Sequence, residues 1–504
     1  MGIIKRQSIY FTIISYLGLA IGAINTLLLM PHFLSQEQVG LIGVFSALAF
    51  PLAAISNLGS IYAINRFLPY YKKLLSPDKI DLPIITIVIS LIGFLMVFLV
   101  VYFNDSYVFH WFSRAPLLVD YFYLLPVFTL GYMLCSIFQA LNNGYFFTVW
   151  VGLVTEVIFR IFNLVIIFFL ALNLYKFDEY IHIYVCMFWL GLILYFWKLK
   201  KDANWTLFTG ISILTKRIKK YMVPYSGFFW FTSVFSVLAT MIDTIVLAGI
   251  QGLEKSGSLM IATYFITVTM IPQRSIVNVS IPVISESWRK KDMDNLLKIY
   301  WKSANNMMWA GGFIFLAILL NINEILSFLP ESYHEIKWVI FILGAAKLID
   351  YSTGVNQNIL SLSRKNWKMD FYSNIILVIL LIPLNFYLIR AFGIIGSAFA
   401  NFTGYFIYNF IRTAYLWNSL KISPFNRQNI LLIGIILFFM GLFTLNMYFF
   451  PVSELDFFYN ILIIFLKSIL FVVIFILTIV MLNASTDVKE LFSSNLTVIK
   501  RIFK

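Results

Sequence analysis

The chain has 504 residues, of which 61% are hydrophobic and 12% charged, with a formal net charge of +14. Soluble domains carry about a quarter of their residues as Asp, Glu, Lys or Arg, so this composition excludes a soluble globular fold and points to a polytopic membrane protein. The two cysteines, Cys135 and Cys186, lie in separate apolar runs and read as small hydrophobes rather than as a disulfide or a metal site.

The first apolar run, "SIYFTIISYLGLAIGAINTLLLM" (8–30), follows Lys5 and Arg6 as a signal peptide would. It is too long for one and lacks a convincing cleavage site, so it reads as a retained span. Arg6 stands where a myristoylation motif needs Ser or Thr. Further runs long enough to cross a bilayer lie near 39–62, 83–104, 120–141, 149–171, 180–197 and 221–250. A second set lies near 258–283, 303–328, 335–360, 367–389, 393–416, 430–450 and 459–482. The expectation is an all-α protein of fourteen transmembrane helices.

Lys347 and Asp350 interrupt the tenth run, and charge bias decides in its favour. With fourteen spans and an inside amino terminus, 27 of the 37 Lys and Arg residues fall at inner ends, against five in outer loops: Arg114, Lys176, Lys255, Lys337 and Arg390. Deleting the tenth span would place the later basic loops outside, against the positive-inside rule. Both termini are therefore expected in the cytoplasm. The basic rim suits the anionic lipids of the inner leaflet, and nucleic acid is a poor partner for it.

The expected organisation has a first six-helix lobe (1–200), a basic cytoplasmic linker (201–220), a second six-helix lobe (221–420), and two extra helices with a polar tail (421–504). The loop 198–220, "KLKKDANWTLFTGISILTKRIKK", is the longest and most basic on the inner side. The second lobe repeats the hairpin rhythm of the first, a duplication that transporters use.

No G-x-x-x-x-G-K-[ST], H-E-x-x-H or G-x-S-x-G motif occurs. The expectation is no nucleotide hydrolysis, no serine nucleophile, no cofactor and no metal. His32, His110, His182 and His334 fall in or beside outer loops without ligand spacing. The longest outer loop, near 105–119, leaves little room for an active site, which counts against a glycan polymerase or ligase and for a chain that is not an enzyme.

Polar stripes inside the spans carry what chemistry there is. Glu156, Arg160 and Asn163 recur at i, i+4 and i+7, with Glu before Arg in the favourable order, so the pair can partly neutralise itself. Thr263, Thr267, Arg274 and Asn278 share a face of span eight; Ser236, Thr240 and Asp243 lie on span seven; Lys347, Asp350, Gly354, Gln357 and Ser361 on span ten. One such helix would read as interhelical glue, whereas four divided between both halves favour a shared polar cavity. Arg160 and Arg274 lie roughly 16 and 14 Å from the inner ends of their spans, near the middle of a hydrocarbon core about 30 Å thick. Lys347 with Asp350 at i+3 also reads as a neutralised pair, and Asp243 as a structural hydrogen-bonding group or a proton or cation site. Lys467 reads as a snorkelling or lipid-binding residue, and Arg66 and Arg412 as anchors at inner ends. Pro272, beside Arg274, marks a bend or hinge.

"HFLSQEQVGLIGVFSALAF", "NLGSIYAINRFLPYYKK" and "AFGIIGSAFANFTGYF" resemble segments of bacterial polysaccharide repeat-unit flippases of the multidrug, oligosaccharidyl-lipid and polysaccharide exporter superfamily, over roughly residues 5–420. The resemblance implies two six-helix lobes around a V-shaped cavity, alternating access, and passage of an undecaprenyl-pyrophosphate-linked oligosaccharide across the bacterial inner membrane for O-antigen, capsule or a similar glycan. Glycan polymerase or assembly proteins would be its partners beside the membrane lipids. Basic cavity residues would hold the pyrophosphate or acidic sugars. The substrate-binding candidates are Glu156, Arg160, Arg274, Asn278, Lys347 and Gln357, with Asp243 as the ion-coupling candidate. Lipid II flippases of the superfamily carry charges in the first span, whereas nothing charged lies between Arg6 and Glu37 here. Its drug and cation antiporters favour acidic cavities, whereas these spans hold five cations (Arg160, Arg274, Lys347, Arg412, Lys467) against Glu156, Asp243 and Asp350. Both remain alternatives.

Overall fold

The structure is a computed structural model that describes residues 2–203, 210–453 and 456–490. Part of the expected inner loop (204–209) and the end of the expected cytoplasmic tail (491–504) lie outside the described residues, as do the side chains of Lys5 and Arg6. Among the described residues the secondary structure is helical throughout, with no strand. Eleven helices are long and apolar enough to cross a membrane.

The three expected spans missing from that set are those richest in polar residues. Span eight is broken at Met270 into helices of 17 and 20 residues. Span ten is broken after Ser352 into helices of 17 and 6 residues, with Gly354 in the left-handed region at φ +54°. Span twelve is one unbroken helix of 27 residues, made too polar by Asn401, Asn409 and Arg412.

The chain divides into two compact units, 1–260 and 261–504. In the first, α1 (Gly2–Ala23) passes into a π-helical turn, Ile24–Leu29. The next helix, α2 (Gln36–Ser56), starts on a capping box, with Gln38 N donating to Ser35 Oγ at 3.2 Å and Ser35 N to Gln38 Oε1 at 3.0 Å. It stops at Asn57, whose Oδ1 accepts from Gly59 N at 2.9 Å, and α3 (Ser60–Leu74) follows. Next come α4 (Leu82–Phe103) and α5 (Leu125–Gly144). A second π-helical turn, Leu153–Ile158, leads into α6 (Phe159–Ala171), followed by α7 (Phe177–Val185) and α8 (Met187–Asp202).

The 39-residue α9 (Ile213–Gln251) overturns the expectation of a loop up to residue 220. Asp81, wholly buried, accepts from Ser212 N at 2.7 Å, Ser212 Oγ at 2.9 Å and Thr215 Oγ1 at 2.7 Å, while Ser212 Oγ caps Thr215 N. This fixes the first turn of α9, so the basic residues 216–220 ride on a helix. The same helix lies within the unit 1–260. Its Trp230 indole donates to Ala54 O at 2.9 Å and Ile55 O at 3.1 Å, carbonyls left over at the end of α2.

The helix α10 (Leu253–Thr269) is followed in the second unit by α11 (Ile271–Lys290), α12 (Met293–Leu320) and α13 (Ile336–Ser352). The last long helices are α14 (Trp367–Phe392), α15 (Ile394–Leu420), α16 (Arg427–Phe449) and α17 (Phe457–Met481). Rings of Phe313, Phe439, Phe471 and Phe475, with centroids 5.3–5.9 Å apart, pack α12 against α16 and α17.

One cation departs from its expected role. Arg412 is no interfacial anchor: it is 1% exposed, its Nη2 pairs with the Asp370 carboxylate, its Nε donates to Ser373 Oγ at 2.8 Å, and the Tyr408 ring lies 3.8 Å away. Asp370 supplies the counter-charge from α14. Lys467 donates its Nζ to Glu324 at 2.7 Å.

Candidate functional site

Within the first unit, Glu156 sits on the second π-helical turn and Arg160 just beyond it, their side chains 2.9 Å apart (Nη2 to Oε2). Each is about three-quarters covered by protein, at 23% and 27% exposure. A π-turn widens the helix by one residue, a distortion common at functional sites; α1 packs against this one, and the first π-turn packs against α6. Asn25 of that first turn, 2% exposed, donates Nδ2 to Arg160 O at 2.7 Å. Gly18 of α1 lets the two segments touch: a Cβ there would stand 2.2 Å from Glu156 O and 2.9 Å from Arg160 Nη1. Arg160 Nη1 and Asn25 Oδ1 are both buried without a hydrogen-bond partner among the described residues. The pair is thus oriented from α1 and keeps a donor unspent. Asn163 turns elsewhere, accepting from Tyr180 OH at 3.0 Å.

A second cluster lies within the second unit. Lys347 Nζ stands 3.6 Å from Asp350 Oδ2, an ion pair longer than a hydrogen bond, and 4.4 Å from the Tyr405 ring centroid. Asp350 Oδ2 accepts from Gln273 Nε2 at 2.9 Å, and its Oδ1 from Asn409 Nδ2 at 3.3 Å. Asn409 Oδ1 in turn accepts from Thr353 Oγ1 and Asn356 Nδ2, both at 2.9 Å, which ties α15 to the break in span ten. Thr269 Oγ1 and Tyr351 OH, 2.7 Å apart, bind the break in span eight to α13. Both interrupted spans therefore meet at this network, where side chains satisfy backbone freed by the breaks. Asp350 takes a donor on each oxygen. Lys347, with three N–H groups and one long hydrogen bond to Tyr405 OH at 3.4 Å beside its ion pair, can serve an anion.

The remaining candidates stand apart from these clusters. Gln273, not Arg274, meets Asp350; Arg274 and Asn278 are exposed on α11, and Arg274 makes no ion pair among the described residues. Pro272 is the second residue of α11, directly after the break at Met270. Gln357 is exposed. Asp243 Oδ1 accepts from Thr244 N at 2.7 Å and is half-buried in α9.

Solved structures share this architecture. The lipid II flippase MurJ, in an inward closed conformation, superposes with a TM-score of 0.68 at 17% identity, covering 93% of this chain and 98% of that one. An outward-facing multidrug resistance transporter of the MATE family, from the MOP superfamily, gives 0.58 at 13% identity over 83% and 95%. A MOP superfamily transporter from Pyrococcus furiosus Vc1 (DSM3638) gives 0.58 at 14% identity over 83% and 95%. The chain has the MurJ and MATE fold. No protein-family model matches the sequence, and no curated protein matches it either.

On this MurJ-like fold, Asn25, Gln273, Tyr405 and Asn409 join the clusters without having been singled out from the sequence. Asn401, Tyr405, Asn409 and Arg412 step along span twelve at i, i+4, i+8 and i+11, a polar stripe as regular as the one on span five. That spacing could have found Tyr405 and Asn409. Asn25 had no such signal, since its only polar neighbour on that turn is Thr26 and the two do not repeat at helical spacing.

Proposed function

We propose that the chain is a flippase that moves an undecaprenyl-pyrophosphate-linked oligosaccharide from the cytoplasmic to the periplasmic leaflet of a bacterial inner membrane, by alternating access and without catalysing a reaction. The observation that carries this reading is two cations, Arg160 in span five and Lys347 in the broken span ten, each beside its own carboxylate and each with an N–H left for an anion, on a fold shared with a lipid II flippase. Arginine stays ionised and binds phosphate oxygens bidentately, and Glu156 keeps Arg160 oriented for that task. Arg274, exposed on α11, adds positive charge to the route, with Asn278 and Gln357 as polar contacts to the glycan and Asp243 as the coupling acid. The polar spans eight, ten and twelve complete fourteen membrane crossings with both termini in the cytoplasm. A surface-glycan pathway, with its polymerase or assembly proteins, would consume the product.

Deleting the gene and identifying the lipid-linked oligosaccharide that accumulates on the inner leaflet tests this directly. Accumulation of a repeat unit supports it. Accumulation of a peptidoglycan precursor would instead favour a lipid II flippase, and drug resistance conferred on a sensitive host would favour an antiporter.

A further inference from the structure

A polar pocket lies in the second unit, around the Lys467–Glu324 pair. After α12 the chain turns at Asn321 into the short helix Ile322–Leu326, and residues 450–453, beyond α16, fold against it, with Ser453 N donating to Asn323 O at 3.2 Å. With Lys467 of α17 these segments enclose about 570 Å³, lined by Asn323, Glu324, Asn446, Phe450, Ser453 and Lys467 among others.

Its chemistry is lopsided. The Glu324 side chain is 9% exposed; Oε1 accepts from Lys467 Nζ at 2.7 Å, and Oε2 has no partner among the described residues. Asn323, 3% exposed, spends its Nδ2 on Phe450 O at 3.3 Å and leaves Oδ1 equally unpartnered. Buried acceptors are almost always paired, so two on adjacent residues that line one pocket call for a ligand rich in donors. Lys467, at 34% exposure, keeps N–H groups open to an anion. The matching ligand carries a primary ammonium a few ångströms from a phosphate.

We propose that this pocket binds the headgroup of an ethanolamine phospholipid, with the ammonium on Glu324 Oε2 and Asn323 Oδ1 and the phosphate on Lys467. The surroundings favour a lipid as the occupant: Tyr448, Phe449, Phe450, Phe457, Phe458 and Tyr459 beside it are each 59–81% exposed, the aromatic belt of a membrane–water interface. A choline headgroup has no N–H for the two acceptors, and a glycerol headgroup brings no positive charge to Glu324. This site is independent of the proposed transport reaction.

The test is lipid retention by the full-length protein in detergent, followed by native mass spectrometry with ethanolamine, choline and glycerol phospholipids of identical acyl chains in competition. The ethanolamine lipid should be retained about tenfold over the choline lipid, as expected for charge-assisted hydrogen bonds. Glu324→Gln should remove that preference. Val452→Trp, which fills the pocket and leaves the ion pair intact, should remove it as well. Equal retention of ethanolamine and choline lipids by the unmodified protein would overturn the proposal, as would an undiminished preference in folded Glu324→Gln or Val452→Trp protein.

Discussion

Arg160 offers the sharpest test at the level of single residues. If it holds pyrophosphate, Arg160→Ala abolishes surface glycan while the protein still reaches the membrane, Arg160→Lys keeps part of the activity, and Glu156→Gln is milder. If the pair were only interhelical glue, Arg160→Ala would lower abundance with near-normal activity per folded molecule, and the Glu156→Ala/Arg160→Ala double change would recover abundance by leaving no unpaired charge. Immunoblotting and glycan export measured in the same cells separate the two. The second ion pair makes an asymmetric prediction. Lys347→Ala leaves Asp350 with donors from Gln273 and Asn409, whereas Asp350→Ala takes the acceptor from Gln273 and the counter-charge from Lys347, while Asn409 keeps Tyr405 O. Both changes break a largely buried pair, at a cost of about 3 kcal/mol or more. Asp350→Ala should lower the melting temperature in detergent further than Lys347→Ala does; the reverse order would mean that the network does not hold the broken spans.

At the scale of the helix, glycines show where backbones meet. Gly18→Ala drives a methyl group into the Glu156 carbonyl, and Gly257→Ala drives one to 2.3 Å from Gln36 O; neither obstacle is a side chain that can swing aside. Both changes should reduce stability in thermal unfolding, and Gly18→Ala should also reduce export by displacing Arg160. Gly441→Ala, with nothing within 4 Å, is the control, expected to be neutral or stabilising by up to about 1 kcal/mol. Much at this scale was legible beforehand: long apolar runs announce most of the helices, and the i, i+4 spacing placed Glu156 against Arg160. What stayed hidden depends on contacts distant in sequence. Asp81 makes residues 213–220 helical from 131 positions away, Asp370 turns Arg412 from an anchor into a buried partner, and Glu324 gives Lys467 a counter-charge. Local hydropathy carries no trace of such partners.

At the scale of the whole molecule, the proposed flippase makes predictions about orientation and energy source. Reporter fusions at residue 210 and at the carboxyl terminus should both report cytoplasm, given the 27 inner Lys and Arg residues. A periplasmic signal at either would overturn the span count. Flipping in proteoliposomes should proceed without ATP and respond to a pH or sodium gradient, and Asp243→Asn should blunt that response; an unchanged response removes Asp243 as the coupling acid.

The π-helical turn beneath Glu156 and Arg160 has a consequence that substitutions would never reveal. A π-turn amounts to one residue more than an α-helix needs, and its wider winding absorbs that residue, so the helices on either side keep their phase. Taking out Val154 alone would let the segment relax into regular α-helix, with all that follows holding nearly its present direction and every charged side chain kept. Only the widened turn would vanish from the span. Glycan export lost with that one valine, while abundance and membrane insertion stayed unchanged, would show that the shape of the backbone around Glu156 is needed as well as the charges it carries.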